Sequence, residues 1–194
     1  MSRRLFSKEL QLSDPAIGAA VLELQKCAYG REAEIIGSSR IPPLLETIAD
    51  VMASNEMARG VYMQAQLVGC IAYKRVGQLL EICKLMVRPD CFRRGIGSCL
   101  LEDVLANEMQ ITQVTVATAA KNLPAISFYL HQGFEESRRQ STVEEIEIVY
   151  LRKNLIRVYR THAATSLPDT KLTEDPIEDV VSIDFAQDHS QLIE

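Results

Sequence analysis

Apolar residues recur along this chain with two different periods, and the change between them divides it. Ile17, Ala20, Val21, Leu24 and Ala28 keep the spacing of one helical face, which the pattern closes at Gly30. Ser13-Asp14-Pro15 ahead of them supplies a capping side chain and a proline for the first turn. A second stripe, Leu44, Leu45, Ile48, Val51 and Met52, predicts one helix opened by Pro43 and ending near Asn55-Glu56. From Gly60 the period falls to two. Val61, Met63 and Ala65, then Leu67, Gly69, Ile71 and Tyr73, alternate as two strands joined near residues 64–66. Leu79 to Val87 is an apolar run of strand length, and helical spacing returns at Leu100, Leu101, Val104 and Leu105. Ile111 to Ala117 reads as a strand, and Asn122-Leu123-Pro124-Ala125 opens a helix through His131 with Gly133 as its cap. Strands follow from Phe134 and from Val143 to Leu151. With a weakly patterned strand over residues 4–12, the order is β-α-α-β-β-β-α-β-α-β-β, an α/β (α+β) chain whose sheet carries helices on its faces.

The junction from Leu79 to Leu101 carries the chemistry. An apolar strand runs into Pro89-Asp90, then Arg93-Arg94, then Gly95-Ile96-Gly97-Ser98 at the start of a helix. The first amides of a helix lack partners and its dipole favours negative charge. Glycine at 95 and 97 leaves an anion room to reach those amides, and the two guanidinium groups add charge-assisted donors. The pattern predicts a phosphate site. A Walker loop is excluded by Ser98-Cys99, and a dinucleotide fingerprint by Leu100 where a third glycine or alanine belongs.

The window Phe92-Arg93-Arg94-Gly95-Ile96-Gly97 resembles the acetyl-CoA signature of the GNAT acetyltransferase superfamily, Arg/Gln-x-x-Gly-x-Gly/Ala, with Phe92 at the family's first basic position. Asn122-x-x-Ala125-x-x-Phe128-Tyr129-x-x-x-Gly133-Phe134 resembles a second segment of that family. Tyr29-x-x-Glu32-Ala33 through Ile41-Pro42-Pro43-Leu44 is similar to a little-characterised bacterial group within it. The resemblance covers roughly residues 3–155 and implies a mixed, mostly antiparallel central sheet. It divides the chain into an acetyltransferase domain, residues 1–159, and an extension, residues 160–194.

The resemblance further implies acetyl transfer from acetyl-CoA, as cosubstrate, to a primary amine of a small molecule or peptide by direct attack. Arg93, Arg94, Gly95, Ile96, Gly97 and Ser98 would hold the diphosphate, and the backbone of Leu85, Met86 and Val87 the pantetheine arm. For that arm to fit, the fourth and fifth strands must splay. Tyr129 would protonate the departing thiolate, with Asn122 two helical turns earlier facing the pantetheine or adjacent backbone; a helix cap and a core tyrosine are the plainer readings. Glu81 is the candidate base. It lies fourteen residues before Gly95, and strand alternation sets it beside Cys83, Leu85 and Val87 unless a bulge intervenes. Apolar neighbours would raise its pKa; the alternative is an exposed carboxylate and a chain of water as the base. Glu32 and Glu34 read as solvated charges at a helix end.

Composition narrows the partners. The 194 residues carry a net charge of −5, but residues 160–194 hold eight carboxylates against Arg160 and Lys171, so the remainder is nearly neutral. That is no basic stripe for nucleic acid. No apolar run reaches the length of a membrane span, and Met1 to Leu10 lacks an apolar signal core. Five cysteines without metal-ligand spacing predict reduced thiols in the cytoplasm, no metal site and no cysteine nucleophile. The acidic extension reads as partly disordered, with Val181, Ile183 and Phe185 alternating as a strand that would cover a sheet edge or join a second subunit in a homodimer. A non-catalytic acetyl-CoA-binding or sensing module is the alternative function.

Overall fold

A computed structural model describes residues 5–37, 41–142 and 146–155. Helix α1 (Pro15–Ile36) begins where the Asp14 carboxylate accepts from the amides of Ala16 (2.8 Å) and Ile17 (3.2 Å). It runs through Gly30, where the apolar spacing predicts an end. An interior glycine costs about 1 kcal/mol relative to alanine, and beyond it Ala33 and Ile36 pack with Ile41, Leu44 and Ala119. Gly37, at φ 73°, closes the helix by returning its amide to the Ala33 carbonyl at 3.0 Å.

The single helix expected from Pro43 is two, α2 (Pro42–Leu45) and α3 (Ile48–Ala53). Thr47 divides them. Its hydroxyl accepts from the Asp50 amide at 3.3 Å while the Asp50 carboxylate accepts from the Thr47 amide at 2.7 Å. This capping box starts a new helix and leaves Glu46 on extended backbone between the two.

Among the described residues seven strands form one sheet: β1 (Lys8–Leu10), β2 (Met57–Met63), β3 (Gln66–Val76), β4 (Leu79–Val87), β5 (Gln113–Ala119), β6 (Glu135–Ser141) and β7 (Glu147–Asn154). Their order is β1-β2-β3-β4-β5-β7-β6, with β4 and β5 parallel and every other pair antiparallel. The mostly antiparallel sheet implied by the family resemblance is present. Helices α4 (Ile96–Asn107) and α5 (Leu123–His131) cover one face over Leu80, Ile82, Val114 and Leu151. Helix α1 covers the other, where Val21 and Leu24 meet Cys70, Ala72 and Met86.

The seating of α4 depends on Gly69 of β3, where an added Cβ would overlap Ile96 Cγ2 and lie 3.1 Å from Leu100 Cδ1. Gly69→Ala is therefore expected to destabilise the fold by about 1–3 kcal/mol through overpacking, read as a lower urea midpoint. An unchanged midpoint would show that α4 shifts freely.

Residues 160–194, and with them the expectation of a strand covering a sheet edge or a second subunit, lie outside the described residues. Among those described, no helix is long and apolar enough to cross a membrane.

Candidate active site

A single extra residue in β4 opens the sheet. Ile82 faces Tyr73 and Lys84 faces Ala72, which leaves Cys83 without a partner on β3. Such a bulge bends and twists its strand. The parallel ladder from β4 to β5 ends at Ile82–Val116, while β5 continues against β7 as far as Ala119–Ile148. Residues 83–87 thus border a wedge between β4 and β5, the splay that the pantetheine arm requires. The Arg88 amide donates to the Val68 carbonyl at 2.9 Å. By the alternation of an antiparallel ladder, Met86 also turns its backbone toward β3, whereas Leu85 and Val87 turn their N–H and C=O groups into the wedge. Met86 is instead a core residue, 1 % exposed, on the α1 face.

The bulge also decides where Glu81 points. Leu85 and Val87 pack on the α4 face together with Leu80 and Ile82. Glu81, alternating with the last two, stands on the α1 face beside Cys83 and Glu56. The expected neighbours Leu85 and Val87 are therefore on the opposite side, because one inserted residue reverses the alternation.

Beyond Val87 the chain makes one 3₁₀ turn (Pro89–Cys91) and reaches Arg93 at φ 61° and Gly95 at φ 77°. The left-handed backbone at 95 is what calls for glycine there, and an added Cβ would meet nothing within 4 Å. Gly97 has another reason: a Cβ would stand 3.3 Å from the Phe128 ring of α5, so its smallness serves helix packing rather than access for an anion. The first backbone bond at the start of α4 runs from the Cys99 amide to the Gly95 carbonyl, at 2.9 Å. Among the described residues nothing accepts from the amides of residues 93–98, and no carboxylate pairs with the exposed Arg93 and Arg94. Several free amides and two free guanidinium groups at a helix start are the donor set a diphosphate needs.

Helix α5 carries Asn122 and Tyr129. Asn122 is the N-cap, its Oδ1 accepting from the Ala125 amide at 3.2 Å, and its side chain also meets the Glu32 carboxylate. Tyr129 is 5 % exposed, held edge-on by Phe128 and Phe134 with ring centroids 5.2 and 5.3 Å away. Its hydroxyl finds no hydrogen-bond partner among the described residues. Burial, and then the charge of Glu32, push that hydroxyl well above the ordinary tyrosine value, so it keeps its proton.

On the α1 face polar residues gather that sequence reasoning did not bring together. Lys84 Nζ lies 3.0 Å from Glu46 and 3.4 Å from Glu56, and Gln25 donates to Glu46 at 2.9 Å and to the Pro43 carbonyl at 2.7 Å. Tyr29 sits among Glu32, Tyr129, Glu46 and Glu56, its pKa raised first by burial. Glu32 is half-buried within α1 and its pKa is raised by burial, not the solvated charge expected; Glu34 is solvated, pairing with Arg31 on the surface. Glu81 is raised too, by burial and Glu56 against the opposing Lys74. The Cys83 thiol is pushed up to about 12, chiefly by burial, which leaves it a poor nucleophile. Two signals could have found this cluster: a lysine inside an apolar strand and a glutamine on an apolar helix face both demand partners. A separate hollow between α1 and the β2–β3 turn, lined by Glu23, Tyr62 and Arg88, shares none of these residues.

Residues 56–136 match the acetyltransferase (GNAT) domain family. The chain is 39% identical over 128 residues to the UPF0157 protein YqkA of Bacillus subtilis (strain 168), a match covering 66% of this chain and 37% of that protein. The chain therefore spans little more than a third of that relative's length. Its fold is similar to the ribosomal-protein-S18-alanine N-acetyltransferase from Escherichia coli, with TM-score 0.63 and 13% identity over 83% of this chain and 100% of that one. It is similar also to PaiA N-acetyltransferase from Thermoplasma acidophilum, solved with coenzyme A, with TM-score 0.61 and 15% identity over 78% of this chain and 99% of that one.

Proposed function

This chain carries a GNAT acetyltransferase domain, and from that premise we propose that it moves the acetyl group of acetyl-CoA to a primary amine of a small molecule or peptide by direct attack. The observation that carries the reading is the wedge. Unpaired β4 backbone beyond Ile82, free amides over residues 93–98 and a tyrosine hydroxyl kept protonated support the reading. Acetyl-CoA supplies the activated acyl thioester, and this chain's residues do the rest.

The amides of residues 93–98 with Arg93 and Arg94 would hold the diphosphate, as suits a fold similar to the Thermoplasma protein solved with coenzyme A. The backbone of Leu85 and Val87, turned away from β3, would hold the pantetheine arm and offer a donor to the acetyl oxygen, where negative charge would develop. Asn122 orients α5 through its cap and steadies Glu32. Tyr129 keeps its proton until the thiolate leaves and then supplies it. Glu81 takes the proton of the incoming ammonium, for which its raised pKa fits it better than an ordinary carboxylate.

The test is release of CoA thiol from acetyl-CoA across a panel of amines. Turnover of at least one amine is expected, with an acid limb in kcat/KM above the ordinary carboxylate range. The sign follows from Glu81: a base of raised pKa is lost by protonation as pH falls through that value. Glu81→Gln should remove this limb along with most of the rate. An intact limb in the variant would assign the proton to water instead. CoA binding without turnover of any amine would favour the sensing module.

A further inference from the structure

The α1 side of the wedge is more acidic than acetyl transfer needs. Glu32, Glu46, Glu56 and Glu81 line it against Lys84 and Lys74, four carboxylates to two ammonium groups. They form one connected wall: Tyr29 touches the fields of Glu32, Glu46 and Glu56, and Glu56 reaches Glu81. Tyr29, Cys70 and Cys83, the other titratable groups facing it, are all held neutral by burial and add no positive charge. Lys84 is committed, bridging Glu46 and Glu56 with its side chain 11 % exposed. Glu32 has no cation beside it among the described residues, only the Asn122 amide.

Two polar groups lack partners here, one of them, Gln25 Oε1, fully buried, and their lack is separate from the charge count. The Tyr129 hydroxyl, on a side chain 5 % exposed, lies beside Tyr29 and Glu32 without a hydrogen bond among the described residues. Gln25, fully buried, spends its Nε2 on Glu46 and Pro43 and leaves Oε1 with no donor. Buried acceptors and hydroxyls are nearly always satisfied in folded proteins. Unfilled ones against an acidic wall indicate that donors arrive with a ligand.

Resting on the acetyl-transfer reading, we infer that the acceptor is a small organic dication, an α,ω-diamine: one nitrogen is acetylated and the second, still an ammonium, is received by Glu32 beside Tyr29. A monocation would leave Glu32 half-buried and uncompensated, and an acceptor bearing a carboxylate would meet repulsion from the whole wall.

Three acceptors of similar length separate these cases: 1,4-diaminobutane, pentylamine and 4-aminobutanoate. The diamine is expected to exceed pentylamine about tenfold or more in kcat/KM, with 4-aminobutanoate lowest, and the preference should shrink as salt is raised to ~0.5 M. Glu32→Gln should bring the ratio of diamine to monoamine toward one, and Glu56→Gln, next along the wall, should lower it too. A ratio near one in the unaltered protein, or preference for 4-aminobutanoate, overturns the inference while leaving acetyl transfer standing. Should no acceptor turn over, the acetyl-transfer reading fails first, and calorimetric titration of 1,4-diaminobutane into the CoA-saturated protein decides. Binding weakened by Glu32→Gln supports the dication site; no binding overturns it.

Discussion

Tyr129→Phe is expected to lower kcat by about a hundred- to a thousandfold, the range of a lost general acid, while CoA affinity stays within about twofold. The split follows from where the hydroxyl sits. The ring is wedged between Phe128 and Phe134, and phenylalanine keeps those contacts. The hydroxyl makes no hydrogen bond to the described protein, so its removal leaves no group unpaired and the fold should hold. What is lost is a hydroxyl that burial and Glu32 keep protonated across the working pH range. Thiol release gives the rate and calorimetry the affinity. An undiminished kcat would remove Tyr129 from the mechanism, and a loss of affinity equal to the loss of rate would make it a binding residue.

Lys84→Met is expected to have the largest effect on stability, about 2–3 kcal/mol, somewhat below the cost of breaking a fully buried ion pair. Methionine preserves the volume of the stem. Its cost is electrical, since Glu46 and Glu56 would face each other with no cation between them. In the unaltered protein the two carboxylates raise the Lys84 pKa against the opposing effect of burial. A lysine so raised contributes stability that is complete below its unfolded value and lost only as pH climbs through the folded one. The contribution is thus constant through neutrality. In the variant the sign reverses: two unpaired carboxylates favour protonation, so stability should recover as pH falls through the carboxylate range. Urea midpoints at neutral and acid pH measure both points, and a deficit independent of pH would mean that packing, not charge, holds Lys84 in place.

Much of the fold was legible because it depends on neighbours in sequence. The alternation from Val61 to Tyr73, the apolar run over Leu79–Val87, and the caps at Asp14 and Asn122 are local signals, and each element formed where they stand. The two ends that were misread were cases of competition. Gly30 disfavours a helix locally, but Ala33 and Ile36 gain more by packing on Ile41 and Ala119. At Thr47 the apolar stripe favours one continuous helix, but the capping box with Asp50 three residues on starts a new one.

By itself, then, the order of residues determined one contiguous stretch: a strand, a glycine at φ 77°, where glycine is least strained, and the opening of α4. Only the tertiary structure decided the face of Glu81, since the bulge at Cys83 exists in the count of β4 residues against β3 and not in β4 alone. It alone also assembled Gln25, Glu32, Glu46, Glu56 and Lys84, which come from α1, the α2–α3 break, the approach to β2 and the middle of β4. Spacing within one element reports which residues share its face, whereas a buried charge is compensated by whatever distant segment packs against that face.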